Sequence, residues 1–346
     1  MSQIVFVTGA SGHIGSNVVH QLLEQGFRVR ATARGEKAKN LRNSFPSFSD
    51  RLEVIEIADI SKDQVGDALK AVWAIIHLAY YKPKPDEKPE EMIDGTINGS
   101  LNILKQGEAA GVKNFVVTGT VAAIFNPKGT FNHDDWNPIT KEAAISSGNL
   151  LQIYSAAKTL SELALWEWAE AHPHVEVTII SPPPVWGPWP KEFVLPTPTF
   201  DAMTPVFWNL IKPDGKFFTA LPAYADVRDI AQGHIRALTH PVPTSKVGRK
   251  RIVLVSPYPY NWAKAMQLLK EKRPALKDLL IKETPPDQDM VAPPGDYHRT
   301  EEILGMKKED FHTFEQTLLD GIDNYVELRE QWIKQGHEVN IPPLQF

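Results

Sequence analysis

The chain has 346 residues, 42% hydrophobic and 23% charged, with a formal net charge of −5 and no cysteine. That length buries a large core and leaves room for two substructures, while the mild negative charge removes any electrostatic case for nucleic acid or an anionic membrane as partner. The missing cysteines exclude disulfides, thiol catalysis, thiolate metal sites and prenylation, and no apolar run reaches membrane-spanning length. With no basic leader ahead of the first apolar run, a cytoplasmic chain is expected.

Ile4-Val5-Phe6-Val7 is short, apolar and β-branched, which reads as a buried parallel strand. Three glycines follow in Thr8-Gly9-Ala10-Ser11-Gly12-His13-Ile14-Gly15, and Val18, Val19, Leu22 and Leu23 then recur at helical spacing up to Gly26. Strand, glycine turn and helix in this order make a dinucleotide cradle. Gly9 permits the tight turn, Gly12 lets the backbone approach a pyrophosphate, and Gly15 lets helix and strand pack closely. The helix N-terminus then attracts the phosphates. Gly9, Ser11, Gly12, His13 and Ile14 are therefore candidate cofactor residues, His13 shaping the turn rather than catalysing.

The alternation continues. Strands are expected at 28–33, 52–57, 74–79, 114–118 and 175–181, and helices near 63–71, 90–110 and 150–171. The fold class is α/β, a Rossmann-type doubly wound parallel sheet. At the end of the second strand an NAD enzyme usually places an acid to grip the ribose. Here stands Arg34, with Lys37 and Lys39 close behind, which suits the 2′-phosphate of NADP(H); Glu36 falls just beyond the strand.

Tyr-x-x-x-Lys occurs three times, as Tyr80/Lys84, Tyr154/Lys158 and Tyr260/Lys264. Pro83 breaks the first, and the third lies far outside the alternating region. Tyr154 and Lys158 start the long helix after the fifth strand and share one face at i,i+4 spacing. A ketone accepting hydride develops alkoxide charge and needs a proton; an ammonium beside the phenol is expected to lower its pKa toward the working range. Thr118-Gly119-Thr120 at the end of the fifth strand offers a hydroxyl, Thr120, to bond the substrate oxygen. His133-Asp134-Asp135 and His172-Pro173-His174 lack further ligands at suitable spacing, and no metal is expected.

From Pro182 the texture changes. Pro182, Pro183, Pro184, Pro188, Pro190, Pro196, Pro198 and Pro205 interrupt regular structure among Trp186, Trp189, Phe193, Phe200, Phe207 and Trp208, a pattern expected of a functional loop or small lid. Residues 226–238 and 251–256 read as a return to helix and sheet, and 314–334 as an amphipathic packing helix. The NADP-binding domain is thus placed at 1–181, with 226–256 returning to it, and a mainly helical, discontinuous substrate region at 182–346.

The chain resembles the extended short-chain dehydrogenase/reductases, and among them the branch of dihydroflavonol reductases, cinnamoyl-CoA reductases and fungal aldehyde/ketone reductases. The likeness spans nearly the full length. It rests on the glycine motif, Ile76-His77-Leu78-Ala79, Thr96-Ile97-Asn98-Gly99-Ser100-Leu101-Asn102, Tyr154–Lys158, Pro184-Val185-Trp186-Gly187-Pro188, Asp226-Val227-Arg228-Asp229-Ile230-Ala231 and Ile303-Leu304-Gly305. Two departures stand out: Gly119-Thr120 replaces the family's usual two serines, and Thr96 stands where epimerases usually carry asparagine.

The resemblance implies catalysis by Thr120, Tyr154 and Lys158, with Lys158 also on the nicotinamide ribose. It implies Asp59 and Ile60 beside the adenine, and Leu78, Ala79, Tyr81, Thr118, Pro182 and Val185 along the path to the nicotinamide. Phe125, Trp186 and Tyr224 are expected to face the substrate. The expected activity is NADP(H)-dependent reduction of an apolar or aromatic ketone or aldehyde, by a monomer or a homodimer whose partner is a small carbonyl compound. Rival readings are a nucleotide-sugar or sterol dehydrogenase/epimerase and a non-catalytic NADP(H) sensor.

Overall fold

The structure, a computed structural model, describes residues 3–81, 86–200, 203–292 and 296–344. In chain order the first half runs β1 (Ile4–Thr8), α1 (His13–Glu24), β2 (Arg28–Ala33), α2 (Gly35–Asn43), β3 (Leu52–Glu56), β4 (Val72–His77), α3 (Pro89–Ala109), β5 (Asn114–Thr118), α4 (Lys141–Ser147), α5 (Leu150–Ala171) and β6 (Glu176–Ser181). It continues with β7 (Val185–Trp186), α6 (Pro205–Leu210), β8 (Ala225–Asp226), α7 (Val227–Thr239), α8 (Thr244–Val247), β9 (Lys250–Val253), α9 (Trp262–Lys272), α10 (Tyr297–Leu304) and α11 (Phe314–Lys334).

Seven strands form one parallel sheet in the order β3-β2-β1-β4-β5-β6-β9. Alternating side chains of β1 serve both faces of this sheet. Val5 and Val7 join the cluster that includes Val18 and Val19 of α1, and Phe6 joins Ile103 and Leu104 of α3 and Leu165 and Trp166 of α5. Because β1 pairs with β2 on one side and β4 on the other, the crossovers leave it in opposite directions. A crevice therefore opens at the carboxyl edge beside β1, where doubly wound sheets bind their ligands.

The structure departs from the expected elements in four places. Residues 63–71 form only a short 3-10 turn at Gly66–Leu69, because the Asp63 carboxylate caps the amides of Ala58 and Asp59 instead of starting a helix. The fourth strand ends at His77 rather than 79, since the amides of Leu78 and Ala79 turn to the carbonyl and hydroxyl of Thr8. Helices α2 and α4 carry almost no apolar signal, burying two residues and one residue respectively. Finally, the proline-rich segment is packed into the body rather than poised as a lid. Trp186, Trp189, Phe193, Phe207 and Trp208 are all buried, α6 starts at a proline that the first helical turn tolerates, and Trp208 stacks on Tyr325 of α11 at 4.9 Å.

Candidate active site

Two of the three glycines are demanded by geometry. Gly9 has φ of +69°, and a Cβ there would lie 2.7 Å from the Ala79 nitrogen. A Cβ on Gly15 would lie 2.1 Å from the Gly9 carbonyl oxygen. Gly12 has ordinary extended angles (φ −86°, ψ 171°) and precedes a helix with neither a side-chain cap nor an acidic residue in its first turn. The leading amides of α1 are thus left for an anion. Ser11 and Ile14 are half-buried beside this turn. His13 is buried and donates through Nε2 to the Gly187 carbonyl at 3.1 Å, with its ring 4.9 Å from Trp189. It ties the glycine turn to the proline-rich segment.

Arg34 is exposed at the N-terminus of α2. The next amide, Gly35, donates to the Glu56 carboxylate at 3.1 Å, so an acid reaches this corner from β3 rather than from β2. Lys39 is exposed and lies 3.8 Å from Glu36. Burial works against the Asp59 carboxylate, but hydrogen bonds from the Ser61 hydroxyl (2.6 Å) and amide (3.0 Å) and the ammonium of Lys62 hold it below the usual range. Ile60 packs on Gly99 of α3, and Tyr81 lies over Gly95, where a Cβ would come within 2.6 Å of its ring. The Tyr81 hydroxyl donates to Glu87 at 2.5 Å, a bond that pushes its pKa up to about 12. Leu78 and Ala79 are half-buried at the end of β4. A helix N-terminus without a side-chain cap, a turn whose Gly9 and Gly15 admit no Cβ, and an exposed Arg34 together fit a dinucleotide.

Helix α5 is opened by Asn149, whose side-chain oxygen accepts from the amides of Leu151 (2.9 Å) and Gln152 (3.1 Å). This places Tyr154 and Lys158 on successive turns, both half-buried. Thr118 donates its hydroxyl to Nε2 of His234 at 2.7 Å, because the other ring nitrogen is committed to the Ile230 carbonyl. Thr120 caps the turn Val121–Ala123, accepting from the Ala122 amide at 3.3 Å, and its side chain interacts with the Tyr154 phenol. Desolvation pushes that phenol up to about 12, and Thr120 pulls it down. Lys158 does not do so as the spacing predicts. Its ammonium lies over the Tyr80 ring, 5.5 Å from the centroid, and burial lowers its own pKa to about 8 against the pull of Glu162.

Of the other two pairs, Tyr260/Lys264 separates from this site. Tyr260 is buried with its hydroxyl donating to the Leu221 carbonyl at 2.6 Å, while Lys264 is exposed and paired with Asp289 at 2.9 Å. Lys84 lies outside the described residues.

A cavity of about 170 Å³ is walled mainly by Val121, the residue that follows Thr120, and by Phe125, Phe131, Pro183, Leu221 and Ala223. Phe125 therefore lines this cavity. Trp186 and Tyr224 do not: each is 1% exposed, and their rings stack at 5.2 Å inside an aromatic cluster with Tyr260, Trp262 and Phe314. The pairing of β7 with β8 puts Trp186 opposite Asp226, deep in that cluster. Pro182 and Val185 are buried as well, the Pro182 carbonyl accepting from the Val121 amide at 3.1 Å.

The two histidine-rich stretches engage protein partners, His133 with Asp296 at 2.6 Å and His174 with Glu108 at 2.9 Å. Among the described residues only Asp226, Asp229 and His312 gather as metal ligands would. Their oxygens are taken by Arg228, Thr317 and His312 itself. Sequence reasoning missed Tyr80, seen only as half of a decoy, and the buried Glu162–Arg251 pair behind Lys158. The i+4 spacing from Lys158 to Glu162 is the signal that could have found the latter.

The profile of the "NAD dependent epimerase/dehydratase family" matches residues 5–249. A protein of Schizosaccharomyces pombe described as an uncharacterized oxidoreductase is 31% identical over 290 residues, covering 80% of this chain and 84% of its own. The NADPH-dependent methylglyoxal reductase of Saccharomyces cerevisiae is 30% identical over 297 residues, covering 79% and 83%. The solved structure of yeast methylglyoxal/isovaleraldehyde reductase Gre2 with NADPH superposes with a TM-score of 0.79 at 24% identity, over 95% of this chain and 100% of that one, a likeness of fold. By its glycine turn, its sheet order and these matches, the chain belongs to the NAD dependent epimerase/dehydratase family, the extended short-chain dehydrogenase/reductases.

Proposed function

We propose that this chain is an NADPH-dependent reductase of small apolar aldehydes or ketones. What supports the proposal is that the Thr120 side chain acts on the Tyr154 phenol, that Lys158 stands one turn further along α5, and that Val121 beside Thr120 lines an apolar cavity. The NADPH-dependent naming of the Saccharomyces cerevisiae relative supports the cofactor, as does Arg34 at the end of β2. When bound, the cofactor supplies a hydride to the carbonyl carbon.

The protein's part is to manage the oxygen. Thr120 offers its hydroxyl to the carbonyl oxygen, and Tyr154 delivers the proton as charge develops there. A phenol raised to about 12 stays protonated through neutral pH, which favours the direction of reduction. Lys158, protonated below about pH 8, supplies positive charge beside the forming alkoxide. The cavity limits the substrate. An apolar cavity of roughly 150 Å³ holds benzene, so one of about 170 Å³ takes a single ring or a short branched chain.

The test is turnover of NADPH and NADH across a series of ketones from acetone to acetophenone and a naphthyl ketone, alongside a nucleotide-sugar ketone. Acetophenone-sized compounds with NADPH are expected to be reduced best. Preferential turnover of the nucleotide sugar would transfer the chain to the epimerase-like reading. Tight NADPH binding without turnover of anything in the series would make it a sensor.

A further inference from the structure

The half-buried Lys158 lacks the counter-ion that a partly desolvated ammonium ordinarily gains. Among the described residues no carboxylate lies within ion-pair distance of it, and the Glu162 carboxylate one turn away is already held by Arg251 at 2.5 Å. What Lys158 does meet is the face of Tyr80. The Tyr80 ring in turn lies 5.9 Å from the Tyr154 ring, inclined at 63°. Tyr80 comes from the strand-end segment after β4, so its position relative to α5 is set by tertiary packing alone. The side chain of Thr96 on α3 also lies beside the Tyr80 phenol.

We propose that Tyr80 is a positioning residue of this site, its ring face carrying the Lys158 ammonium and its side packing against Tyr154. An aromatic face attracts a cation without neutralising it. It can hold Lys158 beside the phenol and still leave all three N–H donors for ribose and substrate, which a carboxylate would not. The other charged or titratable groups acting on Lys158 are Glu162 on α5, which favours the ammonium, and His77 at the end of β4, which is buried and neutral.

The role of Tyr80 in turnover rests on the reductase reading, but its contact with Lys158 is testable without substrate or cofactor. In the full chain, the rate at which acetic anhydride labels Lys158 is followed against pH by peptide mass spectrometry, which reads the midpoint at which the amine loses its proton. Tyr80→Phe keeps the ring face and should leave the midpoint unchanged. Tyr80→Leu keeps the bulk and the dryness but removes the ring face, and should move the midpoint down by about 0.4–1.5 pH units. Tyr80 is 38% exposed, so neither variant should fail to fold, and unchanged thermal melting of Tyr80→Leu checks this. An unmoved midpoint in Tyr80→Leu, or an equal shift in both variants, would overturn the proposal. The expected shift without any ketone turnover would leave Tyr80 in this role and remove only the reductase reading.

Discussion

Glu162 and Arg251 form an ion pair of 2.5 Å in which the two side chains are 3% and 2% exposed, and the carboxylate stands one helical turn beyond Lys158. Arg251 lies 3.8 Å above the Trp136 ring and donates to the carbonyls of His133 (3.0 Å) and Asp135, so a single guanidinium pins the loop after the cavity wall. Removing one member of such a pair leaves a buried charge uncompensated, at a cost of about 3–5 kcal/mol. Glu162→Gln and Arg251→Met should each lower unfolding free energy by about that amount in urea titrations. A loss below about 1 kcal/mol in either would mean that water reaches the pair.

Tyr154→Phe removes the proton donor and keeps the ring. Reduction should collapse, while NADPH binding, followed by fluorescence, survives. Thr120→Val should cost about 10²–10³ in rate. Tyr260→Phe, which removes only a bond to the Leu221 carbonyl, should leave turnover near wild type. Equal behaviour of the two tyrosine variants would end the assignment of Tyr154.

At the adenosine end, Arg34→Ala should weaken NADPH selectively. Glu56 already occupies the neighbouring Gly35 amide, so NADH is expected to bind weakly but to be untouched by the substitution. Isothermal titration with both cofactors decides it, an equal loss for both arguing against a phosphate contact.

Substrate selection and stability should separate at Phe125 and Trp186. Phe125 walls the cavity, so Phe125→Ala should shift preference toward bulkier ketones with little change in NADPH affinity. Trp186 is buried in the aromatic cluster, so Trp186→Ala should destabilise the protein by about 3–5 kcal/mol. Its residual activity at low temperature should keep the wild-type order of substrates. A changed order would return Trp186 to the substrate wall.

Two buried histidines set the acid limit. Burial lowers His77 to about 3 and His234 to about 4. Both are depressed relative to the unfolded chain, near 6.5, so the unfolded state binds protons first. Their contribution is complete above about pH 6.5 and is lost as the pH falls toward the folded values, at up to about 1.4 kcal/mol per pH unit for each. Unfolding free energies between about pH 7 and about pH 5 should follow that slope, and His234→Asn should reduce it. An identical slope in the variant would place the acid sensitivity elsewhere.

Much of this was legible in the sequence because it is local. The glycine turn, the buried run Ile4-Val5-Phe6-Val7 and the i,i+4 pair Tyr154/Lys158 depend on short spacings that backbone geometry dictates, and the alternation of strand with helix implied the doubly wound sheet. Helices α2 and α4 were silent because amphipathic patterning reports burial, and they bury almost nothing. Only the tertiary structure decided which aromatics face a cavity and which face each other. Trp186 and Tyr224 share the character of Phe125, and their burial follows from the β7–β8 pairing, a contact between residues some 40 positions apart. It also decided what Lys158 meets, since the ring that carries its charge belongs to Tyr80, half of a pair that Pro83 excludes as a helical motif. Local chemistry specifies the groups that react; packing between distant segments specifies their charge states, because desolvation depends on everything that surrounds them.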